Sequence, residues 1–150
     1  MVAEQQAAQK NYSVALRVIG RFLDGEPSYH VSISETGDGL TVRSHATPRR
    51  ADERVKHFAW DTIDDMDTYY GAAARGLGPK ERRLQWAFPC THEQALRTLG
   101  GLLDSEGATS LSVDETSEGL DVSYLRPGSG GAQDKQQKVF GPDELCRGSA

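Results

Sequence analysis

One segment of this chain occurs twice. Residues 15–42 read ALRVIGRFLDGEPSYHVSISETGDGLTV, and residues 95–122 read ALRTLGGLLDSEGATSLSVDETSEGLDV. They align without a gap at an offset of 80. Ala15/Ala95, Leu16/Leu96, Arg17/Arg97, Gly20/Gly100, Leu23/Leu103 and Asp24/Asp104 are identical pairs, and Glu35/Glu115, Thr36/Thr116, Gly39/Gly119, Leu40/Leu120 and Val42/Val122 continue the series. An ungapped match in which roughly half the positions agree reads as a duplicated supersecondary unit. It returns after loops of unequal length, where Lys56-His57-Phe58 aligns with Lys138-Val139-Phe140 at an offset of 82. The expected organisation is a flexible N-terminal arm over 1–10, unit 1 over 11–75, a linker over 76–90 and unit 2 over 91–147. Leu84, Trp86 and Phe88 alternate in the linker as a short strand over 84–88 would.

Each unit opens on a helix. Thr91-x-x-Gln94 has the form of a capping box, and Asn11 holds the matching N-cap position in unit 1. Leu16, Ile19 and Leu23, or Leu96, Leu99 and Leu103, then recur at helical spacing. Gly20 and Gly100 lie on or beside that stripe. A mid-helix glycine costs on the order of 1 kcal/mol relative to alanine, so its presence in both units predicts a close approach there by the other unit's helix. Past Asp24-Gly25 and past Gly107 the period becomes two. Tyr29, Val31 and Ile33 alternate with His30, Ser32 and Ser34, and Leu111 and Val113 alternate with Ser110, Ser112 and Asp114. These are half-buried strands. Thr36-Gly37-Asp38-Gly39 and Thr116-Ser117-Glu118-Gly119 are hairpin turns leading to return strands. A polar loop follows, TPRRADER at 47–54 or RPGSGGAQDKQQ at 126–137. A short third strand then runs over 55–58 or 138–140, and a second helix starts at Asp61 or Asp143. That helix reaches Ala74 in unit 1 and is cut short at Leu145-Cys146 in unit 2. A three-stranded unit of about 60 residues buries little apolar surface alone. The expected fold is therefore α+β: two α-β-β-β-(α) units with antiparallel strands, packed with pseudo-twofold symmetry into one compact domain.

The order α-β-β-β-α resembles that of double-stranded-RNA-binding domains in topology alone. The start of the second helix, where those domains carry a basic cluster, holds Asp61, Asp64, Asp65 and Asp67 here. Restriction-endonuclease-like nucleases share the order, but they hold a metal with an acidic residue and a Glu-x-Lys on adjacent strands, and the strands assigned above carry no such pair. These residues assign the chain to no family.

Composition narrows the function. In 150 residues there are 17 basic and 22 acidic side chains, net −5, which argues against a general nucleic-acid coat. No apolar run approaches the roughly 20 residues of a membrane span, and the N-terminal sequence lacks the basic and apolar regions of a secretory signal. No membrane association is expected. Two cysteines are too few for a disulfide framework, so the expected setting is a reducing cytoplasm, with Cys90 a small buried thiol. Cys90-x-His92 is the one close pair of zinc-ligand type, and no Cys-x-x-Cys or His-x₃-His exists, so neither metal nor cofactor is expected. The run Asp61 to Asp67 lacks the ligand alternation of an EF-hand, and the helix dipole accounts for Asp61 and Asp64.

Basic residues concentrate in two segments. Arg43, Arg49, Arg50, Arg54 and Lys56 give 43–60 a local excess of three positive charges, and Arg75, Lys80, Arg82 and Arg83 precede Trp86 and Phe88. Such segments bind phosphates and stack bases, or else are solvated loops. The duplicated carboxylates Glu35/Glu115 and Asp24/Asp104 read first as turn and cap residues common to both units. No catalytic constellation is evident. The expectation is a non-catalytic binding or regulatory module with a protein partner or a second copy of itself. Nucleic-acid binding through 43–56 and 75–88 is the alternative, and a small enzyme with a site between the units is the third reading.

Overall fold

The computed structural model describes residues 11–25, 28–63, 90–128 and 132–146. Helix α1 spans Tyr12–Asp24, and strands β1 (Tyr29–Glu35), β2 (Gly39–His45) and β3 (Glu53–Ala59) follow. Helix α2 spans His92–Glu106, followed by β4 (Thr109–Thr116), β5 (Gly119–Pro127), β6 (Gln133–Phe140) and a single helical turn, α3 (Pro142–Leu145). The six strands form one sheet in the order β3-β2-β1-β4-β5-β6, and every neighbouring pair is antiparallel. The fold is thus α+β.

Capping residues start both long helices. Asn11 Oδ1 accepts from the Val14 amide at 3.0 Å, and Thr91 Oγ1 accepts from the Gln94 amide at 3.2 Å. The apolar stripes read from the sequence are buried, with Leu16, Ile19 and Leu23 on α1 and Leu96, Leu99 and Leu103 on α2. They pack on Val31, Ile33, Leu40, Val42 and Phe58 from one half of the sheet and on Leu111, Val113, Leu120, Val122 and Phe140 from the other. Both helices therefore cover the same face. They also touch each other at the two glycines. A Cβ on Gly20 would stand 2.7 Å from the Glu93 nitrogen, and one on Gly100 would stand 2.6 Å from Ser13 Cα. No real methyl group fits at that distance. Glycine sits here because the two backbones cross at these points.

Three sequence readings need correction or completion. The third strand of the second half begins at Gln133, inside the segment read as a loop over 126–137, because β5 continues to Pro127 and β6 pairs with it as far as Gln133. A polar edge strand exposed along both faces has no alternation to betray it. Secondly, Cys90 is not a free thiol. It is bridged to Cys146, with Cα atoms 5.5 Å apart across 56 residues. The chain's return through α3 to the start of α2 produces that proximity, and no spacing motif announces it. Thirdly, of the helix expected from Asp61 the described residues include only the turn leading into Ile63, which is buried. Its continuation to Ala74, the arm over 1–10 and the strand expected over 84–88 lie outside the described residues.

Candidate functional site

The carboxylates of the Asp24/Asp104 and Glu35/Glu115 pairs each bind backbone amides in the other half of the chain. Asp24, at the end of α1, accepts from the His92 and Glu93 amides at 2.9 and 3.1 Å, capping α2. Asp104, near the end of α2, accepts from the Tyr12 and Ser13 amides at 2.9 and 3.0 Å, capping α1. A carboxylate at a helix N-terminus satisfies orphan amides and complements the dipole. Asp24 is 2% exposed and also meets His92 Nδ1 at 2.9 Å.

Glu35 and Glu115 exchange a similar service across the sheet. His30 and Ser110 adopt left-handed backbone, with φ of 54° and 56°, where β1 and β4 each shift register against their hairpin partners. The shift leaves the next amide outside the ladder. Glu115 accepts from the Val31 amide at 3.0 Å, and Glu35 accepts from the Leu111 amide at 2.9 Å. Glu35 also accepts the Tyr12 hydroxyl at 2.6 Å. Burial first, then this hydrogen bond and the charges of Glu35 and Asp104, push the Tyr12 phenol far above its ordinary pKa.

What the helices leave uncovered is the other face of the sheet. Strand alternation sends Ser32, Ser34, Thr41, Arg43, Val55 and His57 to that face in the first half, and Ser112, Asp114, Asp121, Ser123 and Val139 in the second. Val55 and Val139 are 52% and 44% exposed, on the outer strands. The same alternation divides the predicted basic cluster. Arg43 stands on the open face, whereas Arg54 and Lys56 fall on the helix side, where Lys56 Nζ lies 5.9 Å from the Phe58 ring centre. Arg49 and Arg50 are exposed on the β2–β3 connection. Lys80, Arg82, Arg83 and Trp86, with Arg75, lie outside the described residues, as do Asp64, Asp65 and Asp67. Asp61 is exposed on the turn after β3. Among the described residues, no group of three or more His, Cys, Asp or Glu is arranged to hold a metal.

A cleft of about 270 Å³ opens on the uncovered face, where β2 and β4 flank β1. His30, Ser32, Arg43, His45, Arg50 and Glu53 line it from the first half, and Asp114 and Glu115 line it from β4. His30 reaches over to the β2–β3 connection, its Nε2 donating to the Pro48 carbonyl at 2.6 Å. The His30 and His45 rings meet edge to face, with centres 6.0 Å apart. Glu53 is the local counter-ion, 3.8 Å from Arg43 Nη1 and 3.9 Å from His45 Nε2, both beyond hydrogen-bond reach. Sequence reading singled out Arg43 and Arg50 but missed His30, His45 and Asp114. Only the β2–β1–β4 adjacency joins them.

The structure brings together one more constellation that the sequence did not reveal. Thr41 Oγ1 lies 3.0 Å from His57 Nδ1, and His57 Nε2 lies 3.1 Å from Asp38 Oδ1. Hydroxyl, imidazole and carboxylate in series are the parts of an activated nucleophile. Here they are spread over an exposed strand edge, with Asp38 80% and His57 39% exposed. The Thr36 hydroxyl, ahead of the His57 imidazole, holds the Asp38 carboxyl below its ordinary pKa. Exposure of this degree leaves each of these hydrogen bonds in competition with solvent.

Among the described residues, no helix is long and apolar enough to cross a membrane. No protein-family model matches the chain, and no curated protein or solved structure proves significantly similar to it.

Proposed function

We propose that the chain is a fused tandem repeat acting as a non-catalytic binding module, whose partner is another protein or a second copy of itself. Two α-β-β-β-(α) units would meet about a pseudo-twofold axis passing through the Ile33–Val113 pair. The register of β1 on β4 supports this, because Ser32 faces Asp114 and Ser34 faces Ser112 about that centre. The reciprocal caps, the paired glycine crossings and the paired left-handed residues support it as well.

The binding reading rests on one observation. The residues the two halves share are spent on capping, crossing and register, while the sheet keeps one face uncovered and two outer strands, β3 and β6, to receive a partner. Light scattering over a range of concentrations tests it. Mass rising with concentration, or a defined protein captured from lysate whose binding Val55→Lys or Val139→Lys abolishes, is the expected result. A strict monomer that captures nothing overturns it.

Nucleic-acid binding through 43–56 has weaker support, since Arg43 and the Arg54–Lys56 pair face opposite ways. Its mark would be an affinity falling steeply with salt. The cytoplasmic setting is retained as a proposal, with the Cys90–Cys146 bridge weighing against it. Thiol labelling of protein taken directly from cells discriminates the two.

A further inference from the structure

The two halves diverge where the cleft lies. His30, Arg43 and His45 of the first half stand where the second carries Ser110, Ser123 and Leu125 at the offset of 80. The second half builds the same register shift, hairpin and core without them, so the architecture does not require these side chains. The backbone is also unusual here. Four non-glycine residues have left-handed φ among those described, and three of them, His30, Arg50 and Asp52, lie at the cleft or on the connection beside it. His30 shares its conformation with Ser110, but Arg50 and Asp52, at φ of 63° and 56°, have no counterpart. Strained backbone of this kind gathers at ligand sites.

Charge selects the ligand class. Arg50 from the β2–β3 connection and Asp114 from β4 flank β1 from its two sides, and neither has an ion-pair partner among the described residues. Arg43 is held only loosely by Glu53, and His45 Nδ1 is buried without a hydrogen-bond partner among the described residues. A phosphate would meet three carboxylates, Glu53, Asp114 and Glu115. A bare cation would meet two guanidiniums. A small molecule carrying both charges satisfies each wall at once. We propose that this cleft binds a small polar α-amino acid, its carboxylate toward Arg43 and Arg50 and its ammonium toward Asp114. The cleft opens on the same uncovered face as the protein-partner reading, but at its central strands rather than at β3 and β6; light scattering tests that reading, and amino-acid titration tests this one.

The experiment is calorimetric titration of the full chain with glycine and with L-glutamine, set against acetate, methylammonium and inorganic phosphate. The expected result is saturable binding of at least one amino acid, with Kd on the order of 1 mM or tighter and at least about tenfold tighter than any singly charged probe or phosphate. Arg43→Ser and His45→Leu install the residues of the other half and leave the fold intact. The charge-removing variant is expected to weaken binding about tenfold or more. No saturable binding of either amino acid overturns the proposal. So does acetate or phosphate binding as tightly as the amino acid, or amino-acid binding unchanged in both variants.

Discussion

At the scale of single residues, the molecule depends on atoms that reach across its midline. A methyl group at Gly20 or Gly100 collides with backbone, not with a side chain that can swing away. Gly100→Ala should therefore destabilise by about 1–3 kcal/mol in urea denaturation, even though alanine gains about 1 kcal/mol in helix propensity. Asp24→Ala should cost more than Asp104→Ala, by about 1 kcal/mol or more, because it leaves two amides uncapped and also removes the carboxylate from the buried His92 Nδ1. The phenols give a pH signature. Burial, then the Glu106 hydrogen bond, pushes Tyr124 up to about 12, and Tyr12 is displaced in the same direction. Raised folded-state values stabilise fully below the unfolded value near 10 and lose that contribution as pH climbs past it. Stability should thus fall steeply from about pH 10 upward, and Tyr124→Phe should flatten part of the slope between about 10 and 12. Asp24 and Glu35 could be read from the sequence as local turn and cap residues. That each serves the opposite half could not, since the amides they bind lie 68 and 76 residues away.

At the scale of elements, legibility followed burial. Helices and hairpins with one apolar face declared themselves through Leu16, Ile19 and Leu23 or through Val31 and Ile33, because burying one face imposes a period. Strand β6 declared only its last residues, 138–140, since solvent reaches both its faces until Phe140. That outer strand carries its own protection: Lys138 pairs with Glu144 at 2.6 Å and lies 4.9 Å from the Phe140 ring centre. Charged residues on an edge discourage unwanted pairing. Lys138→Val should raise aggregation on heating, read by turbidity, with little change in urea midpoint. The cleft escaped the sequence for a different reason. His30, Arg43, His45 and Asp114 sit on three strands, and nothing in the sequence announces that β4 will lie against β1. The Cys90–Cys146 bridge is a further element-scale device, closing a loop of 56 residues. Closure of that length is worth about 4 kcal/mol in the chain-entropy account. Cys146→Ser should lower the denaturation midpoint markedly, and a reductant should have no further effect on that variant.

At the scale of the whole molecule, each half supplies the cap, the crossing partner and the register plug of the other. A fragment ending at residue 75 should show no cooperative thermal transition at low concentration by circular dichroism. Mixing it with a fragment starting at residue 90 should restore one. Independent melting of the two pieces would contradict the reciprocal arrangement seen in the caps.

The central seam also dictates a sequence of events during folding. Each hairpin joins neighbours a few residues apart, whereas β1 and β4 meet only after some eighty residues of chain have been drawn into a ring, an entropic toll of about 4 kcal/mol. The outer strands can therefore zip early, and the middle of the finished sheet is the last place to knit together.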